Sequence, residues 1–155
     1  MNELALKVGE ALKAKGLRLA TAESCTGGWV AAALTAIAGS SDWFERGYVT
    51  YSNAAKREDL GVAPGTLERH GAVSEATARE MASGALRKSK AQVALAITGI
   101  AGPSGGSAAK PVGTVCFAWA LGSKMTSETR RFDGDRESVR RQSVLHALEG
   151  VLELL

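Results

Sequence analysis

The sequence predicts a three-layer α/β/α domain with a mixed β-sheet. Segments with apolar residues at helical spacing alternate with short, continuous apolar runs, and glycines punctuate the junctions. One pair of late segments is joined by a tight Gly122-Ser123 turn. Alternating helices and buried strands ask for parallel strands covered on both faces, and the single hairpin adds antiparallel pairing. The 155 residues are expected to form one domain over 1–155, large enough to bury about two-thirds of the surface of the unfolded chain.

Taken in order, Leu4, Val8, Ala11 and Leu12 form a helical stripe that Gly16 closes. A strand is expected over 17–22, then a helix over 27–38 stopped by Gly39. Arg46 to Ser52 (RGYVTYS) carries the aromatic and β-branched residues of a strand. Asn53 reads as the N-cap of a short helix ending at Gly61. Ser74 caps another, with Ala78, Met81, Ala82, Ala85 and Leu86 on one face. Gln92 to Thr98 is an apolar strand covered on both faces. A glycine-rich loop from Gly99 to Val112 leads to a strand at Thr114 to Leu121 and a more polar edge strand over 125–132. The last helix starts near Asp135 and presents Val139, Ala147, Val151 and Leu154 along one face.

Composition excludes several classes. With 45% hydrophobic and 23% charged residues the chain is an ordinary globular one. A net charge of +3 suits an anionic small molecule, and no basic patch interleaved with aromatics suggests nucleic acid. No apolar run is long enough for a membrane span, and the N-terminus lacks the pattern of a signal peptide. Cys25 and Cys116 lie far apart, which fits a reducing cytoplasm, and with His70 and His146 as the only histidines no metal site is expected. A homo-oligomer is compatible with these numbers.

Chemistry concentrates in Thr21-Ala22-Glu23-Ser24-Cys25-Thr26-Gly27-Gly28. A strand that breaks into a helix at two glycines leaves backbone N–H groups without intrahelical partners, a prepared site for an anion or oxyanion. Ser24 reads as a helix cap or as a nucleophile beside Thr26, Gly27 and Gly28, whose N–H groups are candidate donors to an oxyanion. Cys25 is the rival nucleophile, and Glu23 is an orienting carboxylate or one paired with an arginine. Neither histidine is well placed for a triad. Lys56, in the first turn of its helix, is the better base, because the helix dipole and partial burial both disfavour its ammonium form. The plainer reading is a solvated lysine beside Arg57. Tyr51 and Asn53 could bond to Lys56 or to substrate.

The loop Thr98-Gly99-Ile100-Ala101-Gly102 and onward to Gly106 follows a buried strand and could meet the 23–28 turn at the carboxyl end of the sheet. Thr98, Gly99, Ala101 and Gly102 are its candidate substrate contacts. It lacks the Gly-Lys-Ser/Thr ending of a Walker A loop and the GxGxxG of a dinucleotide site. Arg136 and Arg140 share one helix face as a candidate phosphate clamp, with Arg140 the expected contact.

TAESCTGGWVAAALTAIAGSS, ERGYVTYSNAAKREDLGV, HGAVSEATAREMASGAL and AITGIAGPSGGSAAKPVGTV resemble, in order and spacing, the CinA C-terminal domain family. That resemblance implies an amidohydrolase converting nicotinamide mononucleotide and water to nicotinate mononucleotide and ammonia, in pyridine-nucleotide recycling. It implies Ser24 as nucleophile and Lys56 as base, a small-molecule nucleotide as partner, and no cofactor; Tyr51, from the residues alone, is a candidate catalytic neighbour of Lys56 or a strand aromatic in the core. Longer members carry an additional N-terminal nucleotide-hydrolysing domain, an activity not expected here. Ser104 stands where relatives often have an acid. The alternative is a non-catalytic nucleotide- or phosphate-binding module; a role in DNA uptake or damage response rests on the family's name alone.

Overall fold

The computed structural model describes all residues, 1–155. Its elements run α1 (Asn2–Ala14), β1 (Leu19–Glu23), α2 (Trp29–Thr35), β2 (Phe44–Val49), α3 (Asn53–Leu60), α4 (Pro64–His70), α5 (Glu75–Arg87), β3 (Val93–Gly99), β4 (Thr114–Leu121), β5 (Lys124–Arg131) and α6 (Arg136–Leu154). The five strands form one mixed sheet in the order β2-β1-β3-β4-β5. β1 pairs in parallel with both β2 and β3, while β3, β4 and β5 pair antiparallel. The predicted three-layer mixed α/β fold is therefore the observed one.

The period-2 alternation of the central strands sorts side chains by size. Leu19, Leu95, Ile97, Val115, Phe117 and Trp119 face the layer of α1, α2 and α6. Ala20, Ala22, Ala94, Ala96, Ala118 and Ala120 face the opposite layer, where α5 lies. Small side chains let α5 approach closely, and α3 in turn rests on α5. At Gly84 a Cβ would run into the carbonyl oxygen of Leu60, so only glycine allows that seat.

Among the boundaries that differ from the sequence expectation, three have clear local reasons. Gly27 and Gly28 have φ of +59° and +99°, so α2 starts at Trp29 instead of position 27. β2 stops at Val49 because its parallel partner β1 ends at Glu23, and the chain then turns away toward α3. The N-cap of α3 is Ser52, not Asn53: the Ser52 hydroxyl accepts from the Ala55 N–H at 3.0 Å, which makes Asn53 the first helical residue. α4 was not anticipated, although Pro64 at its first position is a start signal.

Candidate active site

The carboxyl ends of β1 and β3 open onto a cleft of about 300 Å³. Ser24 and Cys25 follow β1, Lys56 comes from α3, and the loop after β3 forms the facing wall with Arg136 of α6. In a sheet of this kind the neighbouring strand ends deliver loops from either side of the crevice, the usual ligand position.

Lys56 Nζ lies 3.0 Å from Ser24 Oγ and donates to the Thr50 carbonyl at 3.0 Å. Lys56 is only 2% exposed, and no carboxylate bonds to it. Burial pushes its pKa down from the ordinary lysine value, because desolvation penalises the ammonium. The opposing influence is the charge of a Cys25 thiolate. Burial holds the Cys25 thiol at about 12, so near neutral pH that thiolate is absent and the depression of Lys56 stands unopposed. A neutral amine has a lone pair that can accept the Ser24 hydroxyl proton. Thr50 is itself fixed by its N–H to the Glu23 carbonyl at 2.8 Å.

Two further side chains hold the Ser24 turn. Glu23 is fully buried and accepts from the Thr26 hydroxyl at 2.6 Å, the Val30 N–H at 2.9 Å and the Ala31 N–H at 3.1 Å. Its carboxylate thus occupies the positive end of α2, where the sequence had suggested room for an external anion. From the other side, Arg140 donates to the carbonyls of Cys25 at 3.0 Å and Thr26 at 3.1 Å while lying over the Trp29 ring. The backbone N–H of Gly27 closes a turn onto the Ser24 carbonyl at 2.9 Å, which removes it as an oxyanion donor. The amides of Thr26 and Gly28 bond to nothing in the chain, and that of Cys25 meets only its own thiol.

Of the residues singled out from sequence, Ser24, Lys56, Tyr51, Asn53, Thr98, Gly99, Ala101 and Gly102 line the cleft together. Thr26, Gly27, Gly28 and Arg140 lie behind it, in the support of the turn. Of the two arginines on that face, Arg136 lines the cleft, and Arg140, one helical turn later, bonds to the carbonyls of the turn. Tyr51, 62% exposed, stands at the rim and accepts from Arg136 Nη2 at 3.0 Å instead of reaching Lys56. The Thr98 hydroxyl donates to the Ala72 carbonyl at 2.8 Å, tying β3 to the segment before α5. Gly99 is needed because a Cβ would sit 2.8 Å from Val115 Cγ2 and 3.1 Å from Cys25 Sγ.

His70 ends α4, and His146 is wedged against Phe117 and Trp119 with Glu128 on its imidazole, so neither serves the cleft. Sequence reasoning missed the Thr50 carbonyl, which no side-chain pattern announces, and Ala72 and Val73, which enter the cleft from a loop. A second concavity of about 250 Å³ at β4, β5 and the end of α6 contains Glu128 and Glu153 but no paired nucleophile and base. No cluster of ligating side chains suits a metal ion, and no helix is long and apolar enough to cross a membrane.

An α/β/α sheet with a buried serine–lysine pair at the end of its first strand defines a class that comparison with known proteins makes specific. The family model of the CinA C-terminal domain matches residues 1–155, and the chain belongs to that family. It is 58% identical over 151 residues to the nicotinamide-nucleotide amidohydrolase PncC of Escherichia coli strain K12, covering 96% of this chain and 91% of the relative. The enzyme of the same name from Pseudomonas putida is 54% identical over 154 residues, covering 99% and 96% of the two chains. Among solved structures, the competence/damage inducible protein CihA of Agrobacterium tumefaciens superposes with a TM-score of 0.96 at 49% identity, covering 99% of this chain and 94% of that one.

Proposed function

We propose that the protein is a nicotinamide-nucleotide amidohydrolase that uses Ser24 as nucleophile and Lys56 as its base. It would convert nicotinamide mononucleotide and water to nicotinate mononucleotide and ammonia, as part of pyridine-nucleotide recycling. The observation that carries the mechanism is the 3.0 Å approach of Ser24 Oγ to a buried lysine that lacks a carboxylate partner. A lysine serving only as a charge for a ligand has no need of such desolvation, which disfavours the simple binding module. The names of the relatives from Escherichia coli and Pseudomonas putida support the substrate.

In this reading neutral Lys56 takes the Ser24 proton as Oγ adds to the carboxamide carbon. The carbonyl oxygen becomes an oxyanion, and the backbone N–H of Cys25, which lines the cleft beside Ser24, is the donor of this turn nearest to it. The tetrahedral intermediate collapses with cleavage of the C–N bond, and Lys56 returns its proton to the leaving nitrogen, releasing ammonia. Water then adds to the acyl carbon with Lys56 again accepting a proton. Collapse of that second intermediate breaks the ester bond and the proton returns to Ser24 Oγ. Tyr51 and Asn53, at the rim, contact the substrate rather than the reacting atoms.

The direct test is ammonia release from nicotinamide mononucleotide by the purified protein. Ser24→Ala should lower turnover by at least about 10⁴-fold while leaving the melting temperature near that of the parent. Turnover that survives this substitution would remove Ser24 from the mechanism. A parent protein that releases no ammonia would remove the substrate.

A further inference from the structure

The cleft has one cation that is free to meet a ligand. Lys56 and Arg136 are its only basic lining residues and no acidic side chain lines it. Lys56 is committed at the floor to Ser24 and the Thr50 carbonyl. Arg136 stands at the facing wall, forms no ion pair, and donates to the Gly102 carbonyl at 2.8 Å and the Tyr51 hydroxyl at 3.0 Å. A guanidinium has five N–H donors, so about three remain for a ligand. Both of its sequence neighbours are acids, but Asp135 is occupied as the α6 cap by the Ser138 N–H at 2.9 Å and Glu137 pairs with Arg141 at 4.0 Å.

A second observation comes from the backbone. Ala101 and Gly102 are buried and line the cleft, yet neither amide N–H has a partner in the chain. Buried N–H groups are nearly always paired, so two adjacent orphans in a cleft wall ask for an acceptor from outside. Their geometry is fixed: Gly102 has φ of +86°, and a Cβ there would collide with Val112. The bond from Arg136 to the Gly102 carbonyl ties the guanidinium to this same loop, and all three residues line the cleft. At the other anion site that the sequence suggests, Glu23 takes the Val30 and Ala31 N–H groups, Arg140 is spent on two carbonyls, and the unpaired amides of Thr26 and Gly28 belong to residues that do not line the cleft.

We propose that Arg136, together with the amides of Ala101 and Gly102, forms the subsite for a phosphate monoester, and so selects a nucleotide over the corresponding nucleoside. The inference rests on the amidohydrolase reading for its substrate, but the subsite can be tested apart from it. Oxygen atoms of the phosphate would accept from both amides and from the guanidinium, while Tyr51 keeps the arginine aimed across the rim. Arg136 acts here in binding and takes no part in bond cleavage.

The experiment compares the parent, Arg136→Ala and Arg136→Lys on nicotinamide mononucleotide and nicotinamide riboside, with inorganic phosphate as a competing ligand. Loss of hydrogen bonds to a charged group predicts a roughly 10- to 100-fold fall in kcat/KM for the mononucleotide in Arg136→Ala. That fall should lie mainly in KM, with the riboside unaffected and inhibition by inorganic phosphate weakened in parallel. Arg136→Lys should recover part of the KM. An equal loss on both substrates, or undiminished phosphate inhibition in Arg136→Ala, overturns the subsite. If the parent turns over neither substrate, the amidohydrolase reading fails, and binding of inorganic phosphate measured by calorimetry still decides the subsite: Arg136→Ala must bind it more weakly than the parent.

Discussion

The two walls of the cleft follow opposite rules. On the inner wall, Ser24 and Lys56, with Glu23 and the Thr50 carbonyl behind them, are buried and bonded to one another or to neighbouring groups. On the outer wall, Tyr51 and Arg136 are exposed and the amides of Ala101 and Gly102 are unpaired. A nucleophile and its base must be held in one geometry before substrate arrives, so their neighbours are saturated. Recognition needs donors that are still free, and the outer wall keeps them. The contrast separates the residues that should govern kcat from those that should govern KM.

Lys56 gives the largest expected break in this contrast. Lys56→Met keeps most of the apolar stem and removes the base, so turnover should fall by at least about 10⁴-fold. The same change should stabilise the fold. The folded-state pKa of Lys56 lies below its ordinary 10.5, so between the two values the unfolded chain binds more protons and stability rises with pH. Below that window the burial penalty is fully present, and methionine abolishes it. Thermal melts at neutral pH should therefore place Lys56→Met above the parent, and a lower melting temperature would contradict the assignment of burial as the cause. In the parent, kcat/KM should rise with pH through the same depressed pKa, since the free amine is the active form.

Arg140 is the intermediate case. It touches the cleft only through the carbonyls it holds, so Arg140→Ala should lower kcat by roughly 10- to 100-fold with KM nearly unchanged. Added guanidinium at millimolar concentration should restore part of the loss. A change confined to KM would instead assign Arg140 to the outer wall.

Cys25 should matter least. It lies next to the nucleophile, but a thiol held at about 12 is protonated at working pH and is not a competing nucleophile. Cys25→Ala should keep kcat within about threefold, because only a small apolar contact is lost. Titration with a thiol reagent should show slow modification at neutral pH. Rapid modification that abolishes turnover would reverse the ranking of serine and cysteine.

Much of this arrangement is legible in the sequence, because the signals are local or periodic. Gly99, Ser74 and Asp135 mark real transitions, and the apolar run from Val93 to Ile97 is as buried as its composition demands. The cap of α3 was displaced by one residue because Ser52 and Asn53 are both good caps, and only the chain's exit from β2 chooses between them. Arg136 and Arg140 share a helix face, so periodicity alone cannot say which meets solvent in the cleft and which meets the turn carbonyls. That choice depends on where α6 docks against the sheet. Likewise, the sequence places an open helix N-terminus after Ser24. It does not reveal that Glu23, projecting from the end of β1, already fills it.

The contact between Gly84 and the Leu60 carbonyl joins architecture to chemistry. α3 carries Lys56 one turn before Leu60, and its distance from the sheet is set by how deeply it settles on α5. The alanines under α5 and the missing side chain at position 84 together act as a spacer of fixed thickness. The reach of the amine to the serine is thus gauged from below, by a layer that never meets the substrate.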